Sequence, residues 1–497
     1  MSDARGGGDR RRGPRQKSRT APAERSRRGS PARRTAHAVL QAVGEGAYAN
    51  LELPKALRRA RLDDRDAAFA TELTYGTLRM QGFYDAVITE AAGRATSRLD
   101  GGVLDVLRMG AHQVLAMRVP DHAAADQAVA LARSVAGPGA AGLVNAVMRR
   151  ISESSVAEWR ERVVPVEPLA ERLSIEHSHP VWIVKALRQA LIGHGVATSE
   201  TADNAVAELL AAHNVPAPVS LVARPGLAEV DELLGAGAHV GRWSPFAAEL
   251  DGGDPGAIAA VRDGRAAVQD EGSQLLALAL AAAPVSGRGD GATEQWLDLC
   301  AGPGGKAGLL AAEALAQGAD LVANEISDHR AELVRQTLRP ALTAAQTAGR
   351  HLEVRTGDGR EFGVDEPERY DRVLVDAPCT GLGALRRRPE ARWRRQPSDL
   401  VGLGPLQRGL LVAAIEATRP GGVVAYATCS PHLSETTFVV RDVLKKRDDV
   451  EQIEARDLLA HVATGGLTDL GDGPHAQMWP HIHGTDGMFL AVLRKRA

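Results

Sequence analysis

Between Pro31 and about Ile151, apolar residues recur three and four positions apart in six stretches: RRTAHAVLQAV, NLELPKALRRARL, RDAAFATELTYGTLR, LDVLRMGAHQVLAM, DHAAADQAVALARSV and AGLVNAVMRRI. That spacing lines one face of a helix with apolar side chains, so it predicts a compact all-α domain of about six helices. Breaks fall at Gly44-Glu45-Gly46, Gly101-Gly102, Pro120 and Gly137-Pro138-Gly139, with Asp121 an expected helix cap after Pro120. From about 156 to 265 the periodicity weakens. HPVWIVKALRQALIG and LAEVDELLG read as helices and PVSLVAR as a strand, a small connecting α+β region. Beyond it, from residue 266, the helix of AAVQDEGSQLLALAL leads into alternating short apolar runs and helical segments: WLDLC, DLVANE, LEVRT, YDRVLVDA and GGVVAYAT. This alternation predicts a doubly wound, mostly parallel sheet over 266–497. The last run, GMFLAVLR, has no helix behind it and is expected to pair antiparallel at the end of the sheet.

Composition narrows the class. The 497 residues carry 60 Lys+Arg against 62 Asp+Glu, with 44% hydrophobic residues, which suits several packed domains. No internal repeat is evident, no run of about 18 apolar residues is present, and no secretory leader pattern precedes the first helix, so a cytoplasmic protein is expected. The near-neutral total hides an asymmetry: residues 1–34 hold 12 Lys/Arg and 3 Asp/Glu, net +9, leaving −11 for the rest. Residues 1–30 are therefore expected to form a disordered basic arm, an electrostatic anchor for RNA phosphates or a solvated tail.

The candidate chemistry lies at strand ends. In WLDLCAGPGGKAGLL a strand runs into a glycine-dense turn (Cys300, Ala301, Gly302, Pro303, Gly304, Gly305) and then a helix at Lys306, so backbone N–H groups can approach a ligand closely. A phosphate-binding Walker loop would need Gly at 300 and Ser or Thr at 307; Cys300 and Ala307 stand there, and Ala307 also breaks a dinucleotide G-x-G-x-x-G pattern. The next strand ends at Asn324-Glu325, an acid suited to a ribose, and the third is followed by Asp358. The fourth ends at Asp376 with Cys379 three residues on, and the fifth ends at Thr428-Cys429-Ser430. Ligands in open α/β sheets sit outside the carboxyl ends of the strands, so both thiols would face one substrate if these two strands pair. With three cysteines and no C-x-x-C pair, neither a disulfide framework nor a zinc site is expected, and Cys379 and Cys429 read as a nucleophile and an auxiliary acid/base. His177, His179, His481 and His483 lack Cys or carboxylate partners nearby in sequence, so no metal is expected. The basic stretch LRRRPEARWRR, from Leu385 to Arg395 with Trp393, is a candidate phosphate-binding and stacking element.

These motifs together resemble the RNA cytosine-C5 methyltransferases, and among them the bacterial Sun/Fmu (RsmB) type. DLCAGPGGK resembles the family's S-adenosylmethionine loop, DAPCTGLG its Asp-Ala-Pro-Cys motif, YATCS its Thr-Cys motif and HGTDGMFLAVLRK its closing strand. VQDEGSQL resembles the segment preceding the cofactor loop, and the helical block 31–155 is similar to NusB, an RNA-binding domain. The resemblance implies a class I Rossmann-like methyltransferase domain acting on cytosine 967 of 16S ribosomal RNA or its assembly intermediate; a monomer without membrane contact is expected because no long apolar stripe or run is left over once the domains are assigned. It assigns the nucleophile to Cys429, release of the adduct to Cys379, and a hydrogen bond to the N3/N4 edge of the base to Asp376. For S-adenosylmethionine it implies Cys300 to Lys306, Glu325, Arg330, Asp358 and Asp376. The chain departs from the family pattern in having Gly302 where Ala is frequent, Glu325 where Asp is common, Thr380 for Ser and Ala427 for Ser. Rival readings keep the chemistry on transfer RNA or another ribosomal site, or make the chain a non-catalytic RNA-binding assembly or antitermination factor. A DNA cytosine methyltransferase would lack the Thr-Cys-Ser strand end.

Overall fold

The computed structural model describes residues 30–497 apart from 288 and 290, so the expected basic arm lies outside the described residues. The chain forms two compact units, one of residues 30–77 and 84–160 and one of residues 78–83 and 161–497.

The first unit is helical throughout. Its helices are Pro31–Gly44, Ala49–Ala60, Asp64–Arg79, Gln81–Ala92, Gly101–Leu115, Asp121–Ala136 and Pro138–Ser152. Six coincide with the periodic stretches; the seventh, Gln81–Ala92, is the one periodicity passes over. Its buried Phe83, Tyr84, Val87, Ile88 and Ala91 do share one face, but the helix follows Asp64–Arg79 after Met80 alone, with no turn sequence between the two to set it apart. Ser30 and Asp100 cap their helices, accepting hydrogen bonds from Arg33 N at 3.3 Å and Val103 N at 3.1 Å. Asp121 is not a cap: Pro120 occupies that position, and Asp121 is the first helical residue, where its charge complements the helix dipole.

The second unit joins a small antiparallel sheet to a large mixed one. Strands β1 (Val219–Ala223), β2 (His239–Val240), β3 (Ala247–Leu250) and β4 (Ala266–Val268) lie in the order β2-β3-β1-β4. Helices Val181–Gly193 and Ala202–Ala212 share a core with Leu382, Leu385 and Trp479, so the connecting region packs into the same unit as the large sheet.

The large sheet contains β5 (Gln295–Asp298), β6 (Asp320–Glu325), β7 (Leu352–Thr356), β8 (Tyr370–Asp376), β9 (Thr418–Thr428), β10 (Val450–Ile453), β11 (Ala476–Gln477) and β12 (Phe489–Lys495). Its order is β10-β12-β9-β8-β5-β6-β7, with β11 beside β12. The five strands from β5 to β9 are parallel, and β12 runs antiparallel to β9. Strand β12 is not the edge: β10 pairs outside it. The sequence of β10, Val-Glu-Gln-Ile, is partly exposed and has two polar residues of four, one of them charged, as an edge strand tolerates, and so gives no continuous apolar run to detect. Helix Asp399–Ala417 is long and apolar enough by composition to cross a membrane. It instead contributes Leu410, Leu411, Ala414 and Ile415 to the core shared with β8 and β9. Pairing of β8 with β9, Asp376 opposite Ala427, sets the two cysteine-bearing loops side by side.

Candidate active site

Two adjacent strand ends build one half of the site. Ala377 N donates to Ala427 O at 2.9 Å, extending the β8–β9 ladder one residue past Asp376, and Cys379 and Cys429 follow at the two strand ends. Their sulfurs are 3.4 Å apart and both residues are half-buried. A hydrogen bond from the Cys379 thiol holds the pKa of Cys429 below its ordinary value, against burial and Asp376, and the Lys306 and Arg388 charges add to the lowering. The same contact, with burial and the negative charges of Glu435 and Asp376, pushes Cys379 up. One sulfur is thus set to ionise and the other to keep its proton.

The other half comes from β5 and β6. Lys306, on the first turn of helix Gly305–Ala316, reaches Asp376 with Nζ 2.9 Å from Oδ2. Burial opposes the charged ammonium, but the Asp376 carboxylate outweighs it, so the pKa of Lys306 is raised and the pair stays ionic. Asp376 keeps a side-chain exposure of 30%, leaving room for a second partner. Glu325 closes β6 and is buried: Oε2 accepts from Gly302 N at 3.2 Å, and Oε1 from Ser327 N at 2.9 Å and Arg330 Nη2 at 2.6 Å. Asn324 donates Nδ2 to the carbonyls of Leu299 and Gly357, both at 3.1 Å, while its buried Oδ1 has no hydrogen-bond partner among the described residues. A cavity of about 200 Å³ opens there, lined by Asn324, Thr356, Gly357, Asp358 and Phe362 among others. Asp358 caps the turn after β7 and pairs with Arg360, which holds its carboxyl below the usual range.

In the turn itself, Ala301 is buried with its N–H on Asn324 O at 2.8 Å, Pro303 is exposed, and Gly304, at φ +111°, leads into the helix at Gly305. Cys300 is a different kind of thiol from the other two: burial first, then Asp298, Asp376 and Glu325, raise its pKa and keep it protonated.

Three residues that sequence reading passed over shape the site. Asp298 is fully buried at the end of β5, and burial, with the neighbouring Asp376 charge, pushes its carboxyl up to about 8. Glu435 and Gln407 are buried beneath the cysteine loops and hydrogen-bond to them. The local signal for Glu435 was slight, a single acid in LSETTFVV where the chain turns apolar.

Three arginines of the basic stretch 385–395 depart from their expected role, while Arg388 is exposed. Arg386 and Arg387 are turned inward on the buried Asp270 and Asp486, with N–O distances of 2.7–3.3 Å. Arg392 is fully buried, donating to Asn214 Oδ1 at 2.7 Å and His213 O at 2.8 Å. Trp393 is half-buried, its Nε1 buried with no hydrogen-bond partner among the described residues. A run of arginines reads as a solvated or phosphate-binding face only until buried carboxylates and carbonyls elsewhere in the chain claim it. The four histidines serve the fold where their contacts are defined: His179 Nδ1 lies on His177 O, and His483 bonds Trp479 N and Thr468 O. Met478 and Trp479 are core residues.

Comparison with known proteins agrees with this geometry. Residues 290–494 match the family model of the 16S rRNA methyltransferase RsmB/F, and residues 30–153 match that of the NusB family. A protein of Mycobacterium tuberculosis strain H37Rv that carries a methyltransferase name is 50% identical over 470 residues, covering 94% of this chain and 96% of its own. The chain belongs to the RsmB/F methyltransferase family. The ribosomal RNA small subunit methyltransferase B of Salmonella paratyphi B is 29% identical over 93% of this chain and 97% of its own. The solved structure of PH0851 shares the fold, with a TM-score of 0.74 at 22% identity over 94% of this chain and 99% of that one. This RsmB/F protein is an S-adenosylmethionine-dependent RNA methyltransferase with a NusB-family domain ahead of its catalytic unit.

Proposed function

We propose that this protein methylates C5 of a cytosine in small-subunit ribosomal RNA, the counterpart of cytosine 967 of 16S rRNA, through a transient bond between Cys429 and C6 of the base. The observation that carries the reading is the 3.4 Å contact of Cys379 and Cys429 beside the Lys306–Asp376 pair, at the carboxyl edge of β8 and β9.

S-adenosylmethionine, when bound, supplies a methyl group on a positively charged sulfur. The residues suited to hold it are the turn Cys300 to Lys306, Glu325 for the ribose with Arg330 beside it, and the Asn324 and Asp358 side of the cavity for the adenine edge. Asp376 is shared by both ligands. A free thiol is only a few per cent ionised at neutral pH, so the lowered pKa of Cys429 raises the reactive fraction. Cys429 donates its electron pair to C6, and the C5=C6 π electrons make C5 nucleophilic enough to take the methyl group, whose bond to the sulfonium would break with the electron pair left on a neutral thioether sulfur. Asp376 hydrogen-bonds the N3/N4 edge of the ring. Once Cys429 is bonded to carbon its negative charge no longer holds up the pKa of Cys379, which loses its proton to solvent and takes the proton from C5; the electrons of that C–H bond re-form the C5=C6 double bond and expel the Cys429 thiolate. A base inside a helix would have to be flipped out at a cost of a few kcal/mol, so an unpaired cytosine in a loop or assembly intermediate is the favoured substrate.

Bisulfite sequencing of RNA from cells lacking the protein, complemented with wild type or with Cys429→Ala, tests substrate and chemistry together. One protected cytosine in small-subunit ribosomal RNA should disappear and return only with wild type. Loss of a transfer RNA site instead would overturn the substrate, and restoration by Cys429→Ala would overturn the nucleophile.

A further inference from the structure

A single buried carboxylate ties together the residues that follow the two reactive cysteines. Glu435 is 1% exposed. Its Oε1 accepts from Thr380 N at 2.8 Å and from Gln407 Nε2 at 3.3 Å. Its Oε2 accepts from the Thr380 hydroxyl and from Ser430 Oγ at 2.6 Å, and those two hydroxyls are themselves 3.1 Å apart. Thr380 directly follows Cys379 and Ser430 directly follows Cys429. Gln407 adds a second strut, donating also to Pro378 O at 2.8 Å, and Tyr426 OH holds the Glu435 main chain through its carbonyl at 2.8 Å. Among the described residues no ion pair compensates this carboxylate. Burying a charge without a cation is costly unless hydrogen bonds satisfy its oxygens, and here each oxygen has two donors, all from the cysteine loops or the helix behind them.

We propose that Glu435 is a positioning residue for methyl transfer, clamping the Cys379 and Cys429 loops together. The inference rests on the two-cysteine reading above. Position matters because an error of about 1 Å in a reacting group costs on the order of 10²-fold in rate. Charge matters as well, because the carboxylate accepts from both the N–H and the hydroxyl of Thr380, the residue next to Cys379, and its negative charge adds to the raised pKa of that thiol.

Glu435→Gln and Glu435→Ala separate the two effects in the full-length protein. Glutamine can reproduce the hydrogen bonds without the charge, and alanine removes both. Iodoacetamide labelling followed by peptide mapping reads the Cys429 to Cys379 alkylation ratio across pH 6–9. Methyl transfer to small-subunit RNA isolated from cells lacking the protein reads kcat and KM. In Glu435→Gln the alkylation ratio should fall by about tenfold, the equivalent of one pKa unit. In Glu435→Ala kcat should fall by about 10²-fold, with S-adenosylmethionine affinity within about twofold of wild type, since the clamp lies on the cysteine side of the site. A wild-type alkylation ratio in Glu435→Gln overturns the inference, as does a kcat loss in Glu435→Ala matched by an equal loss of cofactor affinity, which would mark a general structural role. If neither variant folds, Ser430→Ala, which removes one clamp donor only, should lower kcat about tenfold at unchanged KM, and an unchanged kcat overturns the inference. Cys429→Ala run in parallel keeps the two levels apart. Activity in that variant sinks the two-cysteine reading itself, whereas its inactivity beside wild-type behaviour in the Glu435 variants sinks only the clamp.

Discussion

Two departures from the family pattern, Gly302 and Glu325, are in contact, and their coupling can be measured. Gly302 is not among the positive-φ glycines, so alanine fits its backbone conformation. Its obstacle is space. A Cβ there would lie 2.1 Å from Glu325 Oε2 and 2.8 Å from the carboxyl carbon, where ordinary contact needs about 3.5 Å. The carboxylate would have to retreat by more than about 1 Å. It would then lose the 3.2 Å hydrogen bond from Gly302 N while keeping Ser327 N and Arg330 on its other oxygen. Overpacking of this kind costs about 1–3 kcal/mol and a charged hydrogen bond about 1.5–3 kcal/mol. Because the Oε1 partners remain, the low end of the sum applies, about 2–3 kcal/mol or about 30–150-fold in binding. Shortening the acid with Glu325→Asp withdraws the carboxylate by about one C–C bond, about 1.5 Å, and makes room for the methyl group. Calorimetric titration of S-adenosylmethionine into Gly302→Ala should show that loss, and the double variant Gly302→Ala/Glu325→Asp should recover to within about fivefold of wild type, as contacting sites are non-additive. Wild-type affinity in Gly302→Ala, or a double variant as weak as the sum of its parts, would refute both the steric coupling and the place of Glu325 in the cofactor site.

Cys379→Ala should accumulate an RNA–protein adduct that survives denaturing electrophoresis, while Cys429→Ala forms none; the opposite pattern would exchange their roles. Asp298 predicts a pH effect of known sign. Unfolded, its carboxyl ionises near 3.8, whereas in the fold it holds its proton up to about 8, so the native state binds more protons and loses stability as pH rises through that window. Urea melts should therefore show the stability of wild type relative to Asp298→Asn falling between pH 4 and pH 8, and a pH-independent difference would contradict the buried, protonated carboxyl. Gly383→Ala would place a Cβ 1.9 Å from Gly487 O and strain the Gly383 N–Cys429 O bond of 2.9 Å. A backbone oxygen cannot move aside like a side chain, so the melting midpoint should fall with a cost of about 1–3 kcal/mol, and unchanged melting would show that the two loops do not pack so closely.

Much of the fold was legible because helices and buried strands write their period into contiguous residues. The six amphipathic helices and the five parallel strands stand where the pattern predicts them. The failures have physical causes. Helix Gln81–Ala92 follows its neighbour after a single residue, Met80, with no turn sequence to mark its start. Edge strand β10 needs no apolar run. Arginines 386, 387 and 392 look like a solvated basic face until Asp270, Asp486 and the carbonyls that receive them are brought in from up to 313 residues away.

The same division runs through the site. Local sequence by itself determined the glycine turn after β5, the acid at the end of β6 and a cysteine just beyond each of β8 and β9, because each depends on a few neighbouring residues at a strand end. Only the tertiary structure decided that β8 and β9 are neighbours, that Lys306 meets Asp376 across 70 residues, and that Glu435 binds the loops of Cys379 and Cys429 together. Strand order, ionic pairing and a sulfur–sulfur contact of 3.4 Å are properties of residues brought together by packing, and no periodicity along the chain encodes which strand end lies beside which.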